Sequence, residues 1–209
     1  MAFPTTDSQG ELQAVNQILA SVGQAPVTTL EQTNPDVAIA YNTLQQVSRE
    51  VQAEGWTFNR EYRYPMIPDC KGNIYIPDNM LQLDLSNEAC DWWQRRYDPV
   101  RRDGKLYDRR HHTYEWDAEK TYYFDVVWLF DWLDLPQPVQ DFIVTRASLL
   151  VSTRIIGDPG LAQALQAQEV YTRALAMEYE ANQGDYSFFG QPPNGNYYNS
   201  YQPYHTLYR

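Results

Sequence analysis

Cysteine is nearly absent from this chain, with only Cys70 and Cys90. Two thiols cannot build a disulfide scaffold, and neither sits in a CxxC pair. The three histidines are not at ligand spacing either, so a classical zinc finger is excluded and two free thiols in a reducing compartment are expected. Long apolar runs are missing as well. The longest, residues 126–130 (VVWLF), falls far short of the roughly 20 residues that span a bilayer, so no membrane insertion is expected. Residues 1–10 lack the basic and apolar regions of a signal peptide. Basic residues are scarce, 16 against 27 acidic ones for a net charge of -11, which argues against general attraction to DNA or anionic membranes. No GxSxG elbow, Walker A loop or GxGxxG turn is present. No cofactor, metal site or catalytic nucleophile is therefore expected.

What is present is unevenly distributed. The 209 residues suffice for one core, or for a core with a sub-domain. Tyrosine, at 17, outnumbers all basic residues and exceeds the 7 Phe, a bias that suits half-wet surfaces between subunits. Seven of the 16 basic residues, Arg95, Arg96, Arg101, Arg102, Lys105, Arg109 and Arg110, fall in one short stretch. Against Asp98, Asp103 and Asp108 that stretch carries +4, leaving -15 for the rest of the chain.

Helical periodicity marks both ends of the chain. Leu12, Val15, Ile18, Leu19 and Val22 form one stripe, opened by Asp7-Ser8 with Glu11 and closed by Gly23. Thr33 or Asn34 with Pro35 opens a second helix, whose stripe is Val37, Ala40, Tyr41, Leu44, Val47 and Val51. Val139, Phe142, Ile143, Ala147, Leu150, Val151 and Ile155 predict a third. After Gly157-Asp158-Pro159, Leu161, Ala164, Leu165, Gln168, Tyr171, Leu175 and Tyr179 predict the buried side of a fourth.

Between the helix pairs the pattern changes to strands. Pro65, Pro68, Pro77 and Pro99 preclude a long helix there. Residues 74–76, 82–85, 92–97 and 121–128 have strand composition, and Asp103-Gly104 predicts a hairpin between residues 97–101 and 105–109. The expected class is α+β: a four-helix bundle (residues 8–55 and 131–184), an inserted small antiparallel β-sheet sub-domain (56–130) and an extended C-terminal arm (185–209). The arm is rich in Gly, Pro, Asn and aromatics, among them Tyr186, Phe188, Phe189, Tyr197, Tyr198, Tyr201 and Tyr204. It lacks the Ile and Val for a core of its own, and docking on a partner is expected of it.

Candidate chemistry is sparse. His111 and His112 are adjacent and so point to opposite faces of a strand, which suits exposed residues better than ligands. The carboxylate pairs Asp131 with Asp134, Glu178 with Glu180, and Asp125 near Asp131 would serve a glycosidase only if two faced each other across a cleft. The basic hairpin admits three readings: a solvated, salt-bridged face, a contact with DNA phosphates in a channel, or a docking surface for an acidic partner or neighbouring copy.

Several strings in order resemble one family. Residues 12–30 (LQAVNQILASVGQAPVTTL), 50–59 (EVQAEGWTFN), 105–109 (KLYDR), 144–157 and 178–188 (EYEANQGDYSF) are similar to tail tubular protein A of short-tailed podoviruses, over about residues 8–190. The resemblance implies a virion structural protein of the phage tail, made in the host cytoplasm and without enzymatic activity. It implies a homo-oligomeric ring, a dodecamer, between the portal protein and the tail nozzle protein. Helices would meet neighbours and portal, the sheet part would face the distal tail, tail fibres would attach at the rim, and viral DNA would pass through the bore without sequence recognition. The seven basic residues and the arm's aromatics are the expected interface. The competing expectation is an envelope-polysaccharide hydrolase carried on the tail.

Overall fold

The computed structural model describes residues 8–30, 34–86, 93–94 and 96–184. It is a mixed α+β chain made of two compact units, one comprising residues up to 54 together with 130–184, the other residues 55–129. The predicted class, α+β, is the observed one. Asp7, Thr33, Cys90, Arg95 and the arm at 185–209 lie outside the described residues.

The first unit is helical: α1 (Ser8–Ser21), α2 (Pro35–Gln52), a short 3-10 turn (Trp132–Asp134), α3 (Gln137–Ile155) and α4 (Pro159–Gln183). Gly23, at φ 75°, ends α1 in a Schellman arrangement, with Gln24 N–H bonded to Leu19 O and Gly23 N–H to Ala20 O. Asn34 caps α2 by accepting from Asp36 N–H, and Asp158 caps α4 by accepting from Gly160 N–H. α3 touches the other three helices, and its buried residues accordingly exceed one stripe. Val144, Thr145, Ser148 and Ser152 are buried along with Val139, Phe142, Ile143, Ala147 and Val151. Two of its polar members are satisfied within their own helix: Thr145 Oγ1 donates to Asp141 O and Ser152 Oγ to Leu149 O.

α4 differs from expectation. Its buried line is Leu165, Thr172 and Ala176, whereas Ala164, Gln168, Tyr171 and Leu175 are exposed. The larger residues had suggested the inward face. The small ones take it, because α4 lies along α3 and close approach of two helices favours short side chains at the contact. Leu150 and Ile155 on α3 are only partly covered.

The second unit holds β1 (Arg60–Met66), β2 (Met80–Leu85), β3 (Pro99–Arg102), β4 (Lys105–Asp108) and β5 (Tyr122–Trp128). They form two sheets rather than the one expected: an antiparallel β1-β5-β2 sheet and the β3-β4 hairpin. β1 was not anticipated, since Pro65 interrupts it. A proline lacks the ladder donor and is tolerated on an edge strand, which is where β1 lies, with Pro65 opposite Tyr123. The strand expected over 92–97 is not found at the residues described there, since Trp93, Gln94 and Arg96 sit in a 3-10 turn. Gln94 uses its side chain there, Oε1 accepting from Tyr123 N–H at 2.8 Å, and the aromatic rings go into a cluster instead of a ladder. Residues 74–76 run beside β4 but form only one bridge, Tyr75 to Lys105.

The corrected face of α4 is testable by urea denaturation. Tyr171→Ser and Leu175→Ser, at exposed positions, should each change stability by no more than about 0.5 kcal/mol. Ala176→Leu, at a fully buried small-residue contact, should cost about 1–3 kcal/mol through overpacking. The reverse ranking would restore the face read from periodicity.

Candidate functional site

The β3-β4 hairpin is built on a two-residue turn in which both residues have positive φ, Asp103 at 50° and Gly104 at 70°. That geometry is the I′ turn whose twist matches paired strands. Its inner residue, Leu106, is fully buried beside Ile74 and Ile76. Backbone bonds fix the hairpin in place, from Leu106 N–H to Ile74 O and from Ile76 N–H to Gly104 O, both 2.9 Å. Trp116 donates from Nε1 to Leu106 O at 3.0 Å. It packs against Tyr97 at a tilt and meets Tyr122 edge-on, and Trp93 and His111 complete the aromatic group. Burial, then the hydrogen bond with Tyr97, pushes the Tyr122 hydroxyl well above the usual tyrosine range.

The base of the hairpin is held by a buried carboxylate. Asp108 is 1% exposed, and its Oδ1 accepts from the N–H groups of Asp98 (2.9 Å) and Arg110 (3.0 Å). Its Oδ2 accepts from His111 Nδ1, and its own N–H donates to Thr113 O. Burial, the largest influence, drives its pKa up; the Asp98 N–H, the His111 ring and the Arg110 N–H together outweigh it and hold the carboxyl below the usual range.

Six of the seven basic residues expected at the interface are described, and each has a definite place. Arg101 and Arg102 lie on β3 and Lys105 on β4; Arg109 and Arg110 follow β4, and Arg96 lies in the turn before β3. Arg109 holds Asp98 with two bonds, Nε to Oδ2 at 2.9 Å and Nη2 to Oδ1 at 3.0 Å. Arg101 reaches Met80 O and Asp78. Lys105 donates to Asn73 Oδ1 and sits over Tyr75, while Arg102 lies on the Tyr107 ring at 4.2 Å. Arg96, Arg101, Arg102, Arg109 and Arg110 are exposed. The hairpin therefore presents its cations in fixed positions, some in ion pairs with exposed carboxylates.

Residues that composition did not single out do the positioning. Asp78 and Asn73 are remote in sequence from the arginine run, and Tyr107 alternates with buried Leu106 and Asp108 in β4. The alternation of Leu106, Tyr107 and Asp108 was the available signal, since it places an acid on the inward face. The carboxylate pairs considered for hydrolysis within the helical unit are not gathered into a site. Asp131 and Asp134 are exposed beside the 3-10 turn, and Glu178 and Glu180, two residues apart on α4, point to different sides of the helix. His112 is exposed, and His111 serves Asp108. Among the described residues no helix is long and apolar enough to cross a membrane.

A family model described as tail tubular protein matches residues 12–186. Tail tubular protein A of Klebsiella phage KP34 is 27% identical over 181 residues, 83% of this chain and 88% of the relative. The matched span includes the strings singled out above except the last two residues of 178–188, and two of them, 12–30 and 50–59, contain a structural tie. Asn16 clamps Val27 with two bonds, Nδ2 to Val27 O at 2.9 Å and Val27 N–H to Oδ1 at 2.8 Å. Asn59 accepts from Trp56 N–H and donates to Trp128 O.

Asp108→Ala should cost about 1–3 kcal/mol, because it leaves buried N–H groups without an acceptor. The pH dependence follows from the lowered pKa. The contribution of Asp108 is complete above the unfolded carboxylate value of about 3.9 and disappears as pH falls through the lower folded value. Trp fluorescence followed during acidification should show that transition in the wild type, and Asp108→Asn should flatten it.

Proposed function

The chain belongs to the tail tubular protein family, a structural component of the phage tail and not an enzyme, and from that premise we propose that it is the ring-forming adaptor between the portal and the tail nozzle. Copies associate head to tail into a closed ring, a dodecamer in this reading. The bore forms part of the channel for DNA ejection, and the rim carries the fibres.

The observation that carries this proposal is the separation of charge. The helical unit holds thirteen acidic and four basic residues, whereas residues 55–129 hold thirteen acidic and eleven basic ones, seven of the basic ones in the arginine-rich stretch. A ring contact is heterologous, one face meeting a different one, and a cationic hairpin on an acidic subunit supplies two unlike faces. An acidic bore also suits DNA passage, since weak attraction lets the duplex slide without sequence recognition. Arg95, Arg96, Arg101, Arg102, Lys105, Arg109 and Arg110 form the contact with neighbour, portal, nozzle or channel. The aromatic arm, with Tyr186, Phe188, Phe189, Tyr197, Tyr198, Tyr201 and Tyr204, docks on a partner; its prolines limit the ordering cost.

Electron microscopy and native mass measurement of the chain, alone and with purified portal, test the ring. A closed ring in either condition supports the adaptor, and a persistent monomer with portal and nozzle both present overturns it. Arg96→Glu with Arg102→Glu should weaken incorporation into tails most at low salt, where unscreened repulsion is strongest. Deleting residues 186–209 should leave the thermal transition unchanged yet reduce incorporation; infectious tails at the normal level from the truncated chain would show the arm to be dispensable.

A further inference from the structure

α4 leaves an apolar line in solvent. Val170 is 66% exposed, Tyr171 64% and Met177 57%. Isolated exposed apolar residues are ordinary, but Tyr171, Leu175 and Tyr179 recur at four-residue steps, which places them on one side of the helix. This line runs into a groove of about 330 Å³ between the start of α3 and the last turns of α4. Pro138 and Leu175 give the groove apolar walls, Tyr179 gives it an aromatic face, and Asp141 and Glu178 give it two carboxylates.

Charge indicates the occupant. With thirteen acidic and four basic residues the helical unit carries -9, and three of its four cations are engaged away from the groove. Arg146 lies within 4.0 Å of Glu50, Glu54 and Glu169, Arg173 is 3.5 Å from Glu54, and Arg154 donates to Thr43. Asp141 accepts from Gln137 Nε2 at 2.8 Å, and neither carboxylate of the groove has a cationic partner among the described residues, so both suit a cation from elsewhere. An arginine answers all three features of the groove. Its methylenes cover Pro138 and Leu175, its guanidinium stacks on Tyr179, and Asp141 and Glu178 accept its N–H groups.

We propose that this groove receives the β3-β4 hairpin of a second copy of the chain, with Arg102 as the inserted side chain. Arg102 stands next to the Asp103-Gly104 turn, exposed and stacked on Tyr107 at 4.2 Å. A hairpin is narrow, its strands about 5 Å apart, so its tip can enter a groove. Because one chain carries both the donor and the acceptor, the contact is heterologous and repeats from copy to copy. The arm at 185–209 is the weaker occupant: with one acid, Asp185, and one base, Arg209, it would leave the groove's carboxylates largely unanswered. The proposal rests on the ring reading above and names the surface that the ring would use.

A charge exchange tests it by sedimentation velocity on the full chain, with and without portal. Arg102→Glu and Glu178→Lys, both at exposed positions, should each weaken association about tenfold or more, and the two together should recover most of the loss. Circular dichroism checks that each variant is folded. Wild-type ring formation by Glu178→Lys overturns the groove contact while leaving the ring intact. Two weakened single variants with no recovery in the pair overturn it as well, since hairpin and groove then serve different partners. Rings that tolerate Arg102→Glu but fail without residues 186–209 assign the groove to the arm. A wild-type chain that forms no ring with portal present overturns the ring reading and, with it, this contact.

Discussion

A buried carboxylate organises the cationic hairpin that we propose as the partner contact. Asp108 is removed from water without a permanently charged partner at bonding distance among its contacts. Such a charge survives only if its lone pairs are filled, and that requirement fixes its surroundings. Asp98 and Arg110 must turn their N–H groups inward, and His111 must lie against the free oxygen. Once those backbone positions are set, Arg109 falls opposite Asp98 and closes a two-bond pair across the base of the hairpin. The cationic face is thus held from beneath by an anion, and its shape depends on that anion remaining ionised.

The aromatic cluster supplies the other half of that rigidity. Tyr122 from the central strand β5 meets Trp116 edge-on at 4.9 Å and Tyr97 at 5.5 Å, and Trp116 bonds the carbonyl of buried Leu106. Large rings with few torsions fill this space at modest entropic cost. Gly72, at φ 76°, lets the chain pass so close to the Trp116 backbone that a Cβ would meet its carbonyl oxygen at 2.9 Å. A small β unit with short strands becomes a firm platform by this means, which suits a structural protein better than an enzyme with moving loops.

The helical unit follows a different constraint. α3 is buried on most of its circumference and is covered on several sides by α1, α2 and α4. α4 contributes small residues to that contact, so its larger apolar side chains remain outside. For a tail component that imbalance is useful, since a subunit that must join others needs surface left uncovered. The acidic excess of this unit contrasts with the cations that the hairpin carries in the other.

Much of the fold was legible in the sequence, because its signals are local. Asn34-Pro35, Asp158-Pro159 and Gly23 act through bonds within a few residues, so helix ends could be read directly. Asp103-Gly104 specifies a tight turn by its own φ preferences. The clustering of arginines, the absence of nucleophile motifs and the ordered family strings likewise need no third dimension. Tertiary structure decided what depends on distant partners. Pro65 became acceptable because β1 lies at a sheet edge, Trp93 and Gln94 entered a turn because Gln94 was drawn to β5, and α4 rotated because close contact with α3 favours Thr172 and Ala176 over Tyr171 and Leu175. The roles of Asp78, Asn73 and Tyr107 in fixing the cations were equally invisible, since a side chain's partner is set by proximity in space and periodicity reports only which residues share a face.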